Sequence, residues 1–278
     1  MNLEEKRRAL EARLAELGSV IVAYSGGVDS AYLAYAAHAV LGPKMVAVIA
    51  DSASLARSQL KDAENFAAEH GIPRRTVQTH ELEQESYAQN GPDRCFHCKD
   101  ELFRVLEKEL EQGGFRALAY GLNVDDQKDF RPGHKAAALH QVTAPLAEVG
   151  LTKSEVRTLA QEAKLRVWDK PASACLSSRI EYGRRVTPEA LRMVEEAEEA
   201  LRGLGFSRFR VRHHGSIARI EVAEEEMPAA LSVSMMKAMA AVIRAAGFQY
   251  VTLDCAGYRT GSMNEVLPVE VLTGGRNE

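Results

Sequence analysis

Val20-Ile21-Val22-Ala23-Tyr24-Ser25-Gly26-Gly27-Val28-Asp29-Ser30 is the stretch from which the fold is read. Its first four residues are an apolar run that predicts a buried strand, and Ala31-Tyr32-Leu33-Ala34-Tyr35-Ala36-Ala37 after it predicts a helix. The strand passes into the helix through a Ser-Gly-Gly turn. Two glycines open backbone angles closed to other residues and carry no side chain, so several N–H groups can converge ahead of the helix N-terminus, where phosphate is attracted. Ser25 and Ser30 add hydroxyls at the rim, and Asp29 offers a carboxylate for magnesium or for a helix-start N–H. The same residues also fit a capped turn with no ligand.

Outward from this turn, strands and helices alternate. Residues 3–17 carry leucines among charges at amphipathic spacing, a helix closed by Gly18. Residues 44–51 are a second β-rich run, 57–70 a helix, and 74–79 a third, weaker strand. A helix from about 98 to 112 and a strand over 116–121 follow, and Thr152-Lys153-Ser154-Glu155 has the spacing of a capping box for a helix to about 163. The pattern is that of an α/β protein with a parallel, doubly wound sheet. Ligands of such sheets bind outside the carboxyl ends of the strands, where Ser25-Gly26-Gly27 and Asp51-Ser52 both fall. The loop from Gly121 to Gly133 is dense in Asp; it is either a cover for a ligand or a solvated connection.

Past Trp168 the pattern changes. Lys170 to Arg179 is a loop of small residues, and Thr187-Pro188 starts a helix over 188–204. Residues 209–214 and 217–222 alternate about Gly215-Ser216 as paired strands; an apolar helix over 228–246 and a strand over 249–253 complete the set. The expected organisation is an α/β domain over 1–170 and a smaller α+β domain over 171–278.

A chain of 278 residues has room for both. Hydrophobic and charged contents of 46% and 27% are those of an ordinary globular protein, and a net charge of −4 gives no reason to expect a nucleic-acid partner. No apolar run approaches about 18 residues, and the N-terminal residues lack the features of a signal peptide, so a cytoplasmic protein without membrane association is expected. Four cysteines, at 95, 98, 175 and 255, are too few for a secreted disulfide framework.

Tyr24 to Ser30 matches the fingerprint of PP-loop ATP pyrophosphatases, whose fold is of the adenine nucleotide alpha hydrolase-like type. Together with Ala50-Asp51-Ser52, Asp129-Phe130-Arg131-Pro132-Gly133, Leu151 to Arg157, Ser177-Ser178-Arg179, Arg210-Val211-Arg212 and Thr252-Leu253-Asp254, the chain resembles the LarE family over nearly its whole length. These are ATP-dependent sulfur transferases of nickel-pincer nucleotide synthesis. The resemblance implies ATP and Mg²⁺ held by Ser25, Gly26, Gly27, Asp29, Ser30, Asp51, Ser52 and Gly121, with Asp29 and Ser30 in the chemistry. It further implies a small-molecule nucleotide substrate whose phosphate sits on Arg179, Arg210 and Arg212, with Ser178 also among the cofactor-binding residues, and a homo-oligomer. Read alone, Arg210 and Arg212 fit the solvent face of a strand. Other readings of the fold are a tRNA or other thiolase, an amidating synthetase, and a non-catalytic ATP-binding module.

The cysteines bear on the sulfur source. By resemblance to the cluster-dependent branch of the family, Cys95, Cys98 and Cys175 hold a [4Fe-4S] cluster with one iron left for sulfide or another sulfur donor. The alternative is a sacrificial Cys175. A zinc site with His97 lacks a second ligand pair, a redox disulfide between Cys95 and Cys98 stays open, and Cys255 reads as a structural thiol.

Overall fold

Strand β1 (Val20–Ala23) explains its own composition: Val20, Ile21 and Val22 have no exposure, because both faces of the sheet are covered. Val20 and Val22 pack with Leu10 and Leu14 of α1 (Leu3–Leu17), Leu33 of α2 (Val28–Leu41) and Leu159 of α8 (Lys153–Glu162). Ile21 faces the other way, onto Phe103 and Leu106 of α5 (Arg94–Gly113). Each such fully buried aliphatic side chain contributes about 1.5–3 kcal/mol.

The computed structural model describes residues 1–126, 133–171, 174–259 and 261–263. Asp129-Phe130-Arg131-Pro132 of the expected loop lies outside the described residues. The chain divides into two compact units, Met1–Glu81 with Cys95–Ser173, and Leu82–Arg94 with Ala174–Glu278.

The first unit is a four-stranded parallel sheet in the order β3-β2-β1-β4, with β2 at Met45–Asp51, β3 at Arg74–Gln78 and β4 at Ala117–Tyr120. Helix α3 (Arg57–Glu69) joins β2 to β3. Short helices α6 (Gly133–Leu139) and α7 (Pro145–Glu148) follow β4. The chain leaves β1 toward β2 on one side and finds β4 on the other, so the sheet has its topological switch point between β1 and β4. The capping box is formed: Thr152 accepts from the Glu155 N–H and the Glu155 carboxylate accepts from the Thr152 N–H.

In the second unit β5 (Phe209–His214) and β6 (Ile217–Val222) are antiparallel, and β7 (Tyr250–Leu253) lies parallel to β6. Helix α9 (Pro188–Gly203) is capped by Thr187. The single helix expected over 228–246 is two, α10 (Met227–Ala230) and α11 (Val233–Ala245). The path turns by 94° between the segments Glu224–Ala230 and Val233–Ala245. The cause is local, since the Ser232 hydroxyl accepts the Met235 N–H and starts a new helix. No single helix among the described residues is long and apolar enough to cross a membrane.

Residues 82–94, with α4 at Glu85–Ala88, fold against the Ser177 segment of this unit. The Tyr87 and Ser177 hydroxyls are 2.6 Å apart, the Asn90 amide donates to the Ile180 and Glu181 carbonyls, and Arg94 donates to the Ser177 carbonyl at 2.9 Å. Helix α5 therefore begins at Arg94, a turn earlier than the expected start near 98. Buried bonds of the Arg94 side chain outweigh the lack of a local start signal.

Candidate active site

The Ser-Gly-Gly turn sits at the switch point. Gly26 has φ +72°, and a Cβ there would lie 2.8 Å from the Ala63 Cβ on α3. Gly121, directly after β4, lies against the start of α2 so closely that a Cβ would stand 2.6 Å from the Ser30 backbone nitrogen. Only glycine permits either approach. Ser30 organises the turn by hydroxyl bonds: its Oγ accepts the Ser25 N–H at 3.2 Å, lies 3.1 Å from Ser25 Oγ and donates to the Gly27 carbonyl. Gly27 caps α2 without a side chain, which leaves the first-turn N–H groups for a ligand.

A cavity of about 190 Å³ opens at this point. Its walls include Ser25, Gly27, Asp29, Ser30 and Gly121 at one end, and apolar Val48, Ile49, Ala50, Leu55, Leu102 and Tyr120. Polar donors at one end and an apolar slot at the other suit a nucleotide: phosphates on the turn, base in the slot. Burial, then the Asp126 charge, pushes the Tyr120 hydroxyl up to about 12, so it stays a neutral donor. Lys99 lies 5.3 Å from the Tyr120 ring centroid. A larger cleft of about 800 Å³ in the second unit, between Glu181, Arg184, Thr187 and His213, is lined by none of the catalytic, nucleotide-binding or metal residues expected from the sequence.

Asp29 Oδ1 accepts from Asn123, which is fully buried, and Oδ2 is paired with Lys153 at the start of α8. Asn123 is itself held by Asp126 and by the N–H groups of Asp125 and Asp126. One carboxylate beside a phosphate-binding turn fits magnesium, which takes one or two protein carboxylates and completes its shell with phosphate and water. No local signal in the sequence points Asn123 or Lys153 at Asp29, from which they are 94 and 124 positions distant along the chain. Asp51 is placed differently. Its carboxylate is taken by Arg57 at 2.6 Å and Gln78 at 2.8 Å, and the Ser52 hydroxyl meets Ser54; Ala50 and Leu55 supply the wall at this strand end.

In the second unit, Arg210 and Arg212 do not occupy a solvent face. Arg212 is 6% exposed and Arg210 half-buried. Arg212 pairs with Glu221 at 2.7 Å, Arg179 pairs with Glu198 at 3.0 Å, and Arg219 bridges Glu221 and Asp254. Arg210 stacks over the Tyr258 ring at 5.2 Å. Burial, with the neighbouring Arg179 charge, pulls the Arg210 guanidinium below the ordinary arginine range against the pull of Glu198. Among the described residues, Arg179, Arg212 and Arg219 pair with Glu198, Glu221 and Asp254, and the Nε atoms of Arg212 and Arg219 are buried without an acceptor. Ser178 shares the cluster, its hydroxyl accepting from Arg179 and its carbonyl from Arg212.

Cys95 and Cys98 lie on the first turns of α5, at i and i+3, and so share one helix face. They stand within the helix, where the sequence suggested a pair preceding it. Cys98 is half-buried and Cys95 exposed; Cys175, half-buried, precedes the 3₁₀ turn Leu176–Arg179 in the second unit. Cys255 is exposed and follows β7, a placement that removes it from the core. Among the described residues no three Cys, His, Asp or Glu side chains form a metal-binding group.

The back of α5 carries a titratable clasp. His140, after α6, is 2.9 Å from Asp100 Oδ1 through Nε2 and 2.9 Å from Glu107 Oε1 through Nδ1, and Arg104 also pairs with Asp100. Burial works against the charged ring, but the two carboxylates outweigh it and raise the His140 pKa above its ordinary value. This contribution to stability is complete below the unfolded histidine pKa and is lost as pH rises through the raised folded value. Histidine-resolved NMR is expected to show the raised pKa, and His140→Gln to flatten that part of the melting-temperature profile. An ordinary titration of His140 would contradict the assignment.

Comparison with known proteins matches residues 4–120 to the NAD synthase family model. The chain is 35% identical to the pyridinium-3,5-bisthiocarboxylic acid mononucleotide synthase of Lactiplantibacillus plantarum, over 95% of this chain and 96% of that one. It is 41% identical to an uncharacterised protein of Synechocystis over 95% of this chain and 99% of the relative. A third relative, uncharacterised, from Methanocaldococcus jannaschii, is 27% identical over 74% of this chain and 78% of its own length.

Proposed function

The chain belongs to the LarE family of PP-loop ATP-dependent sulfurtransferases, and from that premise we propose that it converts a carboxylate of a pyridinium dicarboxylate mononucleotide into a thiocarboxylate during nickel-pincer cofactor synthesis. The observation that carries the reading is the cavity at the β1/β4 switch point, with the Ser25–Ser30 turn at one end and an apolar slot at the other.

A carboxylate is a poor electrophile, since oxide does not leave near neutral pH. Its oxygen therefore attacks the α-phosphorus of ATP, and the bond to the bridging oxygen breaks with its electron pair leaving on pyrophosphate. The turn N–H groups and the Ser25 hydroxyl receive that charge, Ser30 holds the turn in shape through its bonds to the Ser25 N–H and the Gly27 carbonyl, and Asp29 would hold the magnesium ion accompanying ATP. A sulfur nucleophile then attacks the acyl carbon, and AMP departs with the electron pair of the broken C–O bond. The substrate phosphate is assigned to the Arg179, Arg210 and Arg212 cluster, supported by the convergence of these guanidiniums and by the buried Arg212 Nε, which lacks an acceptor among the described residues.

For sulfur, Cys95, Cys98 and Cys175 are assigned to a [4Fe-4S] cluster. The shared helix face of Cys95 and Cys98 suits two of its irons. The third ligand, Cys175, is assigned from the resemblance to the three-cysteine branch of the family, and it is half-buried ahead of the 3₁₀ turn Leu176–Arg179. When bound, such a cluster supplies an iron without a protein ligand at which sulfide is held. The protein's part is to hold the three thiolates and to keep the acyl-adenylate from water.

The half-buried Cys175 also favours one rival, in which its own sulfur is transferred. Anaerobically prepared protein is expected to contain about four irons, lost on alanine substitution of any of the three cysteines. Intact mass is expected to be unchanged after turnover. A protein lighter by about one H₂S would establish the sacrificial route instead.

A further inference from the structure

Asp29 already has a cation at its side. Lys153 is the first residue of α8, fixed there by the capping box and by its own N–H donating to Asp125 at 2.8 Å. Its ammonium pairs with Asp29 Oδ2, while the buried Asn123 holds Oδ1. The side chains are 34% exposed for Lys153 and 13% for Asp29, so the pair is not sealed from water. A lysine stem with four rotatable bonds can leave it without moving the backbone.

The charges then set a condition on metal entry. While Lys153 is paired with Asp29, a lone divalent cation meets a carboxylate already neutralised, with Asp125 accepting the Lys153 N–H and Asp126 the Asn123 amide beside it, and among the described residues no three-ligand metal group stands ready to replace it. ATP changes this balance, because its phosphates supply both a second set of oxygen ligands for the metal and a new partner for the ammonium.

We propose that Lys153 is an exchange cation: it occupies Asp29 while the nucleotide site is empty, yields the carboxylate to the magnesium ion arriving with ATP, and moves onto the triphosphate oxygens. The exchange couples metal entry to nucleotide entry. The proposal rests on the ATP half of the reading above and needs nothing of the sulfur half.

Manganese, followed by electron paramagnetic resonance, reports the metal, and α,β-methylene-ATP the nucleotide. Wild-type protein is expected to bind manganese weakly alone and tightly with the analogue. Lys153→Met is expected to bind manganese alone about tenfold more tightly, since removing an ion-pair partner in contact with a carboxylate changes its charge affinity by one to a few powers of ten. It is expected to bind the analogue about tenfold more weakly, for loss of the phosphate contact. Lys153→Gln repeats both effects if the Met variant folds poorly, and Lys153→Arg retains wild-type behaviour in both. Adding Asp29→Asn to Lys153→Met removes the gained manganese affinity. Unchanged manganese affinity in Lys153→Met and Lys153→Gln, unchanged analogue affinity, or gained affinity surviving Asp29→Asn would each overturn the exchange. No arm needs a sulfur acceptor, so failure of the sulfurtransferase reading leaves the outcome interpretable.

Discussion

Asp29→Asn is expected to lower pyrophosphate release by about 10²–10³-fold at saturating ATP, the scale seen when one preorganised charge-stabilising group is removed from a transition state. The substitution keeps the shape of the side chain and its contact with Asn123, but removes the charge that Lys153 occupies and that the metal would take. The cost to the fold is small, because the Lys153 ammonium left behind is one-third exposed and reaches water. Initial-rate pyrophosphate assays beside thermal melts separate the two effects. A variant that melts as wild type and retains turnover within a few-fold would remove Asp29 from the reaction.

The second large effect is on stability. Glu221 has no exposure and is the common acceptor of Arg212 at 2.7 Å, Arg219 at 3.1 Å and Ser262 at 2.9 Å. Glu221→Ala removes the buried negative charge shared by Arg212 and Arg219, and is expected to cost about 3–5 kcal/mol. Glu221→Gln, which keeps an acceptor oxygen without the charge, is expected to fall between. Chemical denaturation measures both. A loss below about 1 kcal/mol for Glu221→Ala would mean that Arg212 and Arg219 find other acceptors or water, and the cluster would then be no rigid anion seat.

Some of this was legible locally. The Val20–Ser30 stretch carries its own fold signal, because a strand buried on both faces needs an unbroken apolar run and the tight approach of Gly26 to α3 excludes any side chain. Thr152 and Glu155 announce the start of α8 through a reciprocal bond that involves only four residues. The β5–β6 pair is marked by alternation about Gly215. Where a single local rule operates, boundaries agree with expectation to a residue or two. Ser232 was a missed signal of the same type, a serine cap inside an apolar run that looked continuous.

Asp51 and the arginines illustrate the other case. Asp51 stands at a strand end in the position expected of a ligand contact, yet Arg57 and Gln78 come from elsewhere to occupy it. Read alone, Arg210 and Arg212 look like exposed strand cations, because nothing near them in sequence shows that Glu221 and Tyr258 will meet them.

By itself, the order of residues determined the features that depend on nearest neighbours: the parallel α/β architecture, the Ser-Gly-Gly turn between strand and helix, and the cap that places Lys153 at a helix start. Tertiary structure alone decided what depends on charge and contact at long range. It set Lys153 against Asp29 across 124 positions of chain, and it made residues 82–94 part of the second unit. It also turned apparent surface arginines into a buried cluster. The physical reason is the same in each case. Backbone angles and capping bonds are settled within a few residues, whereas the partner of a charge is settled only when the chain has closed upon itself.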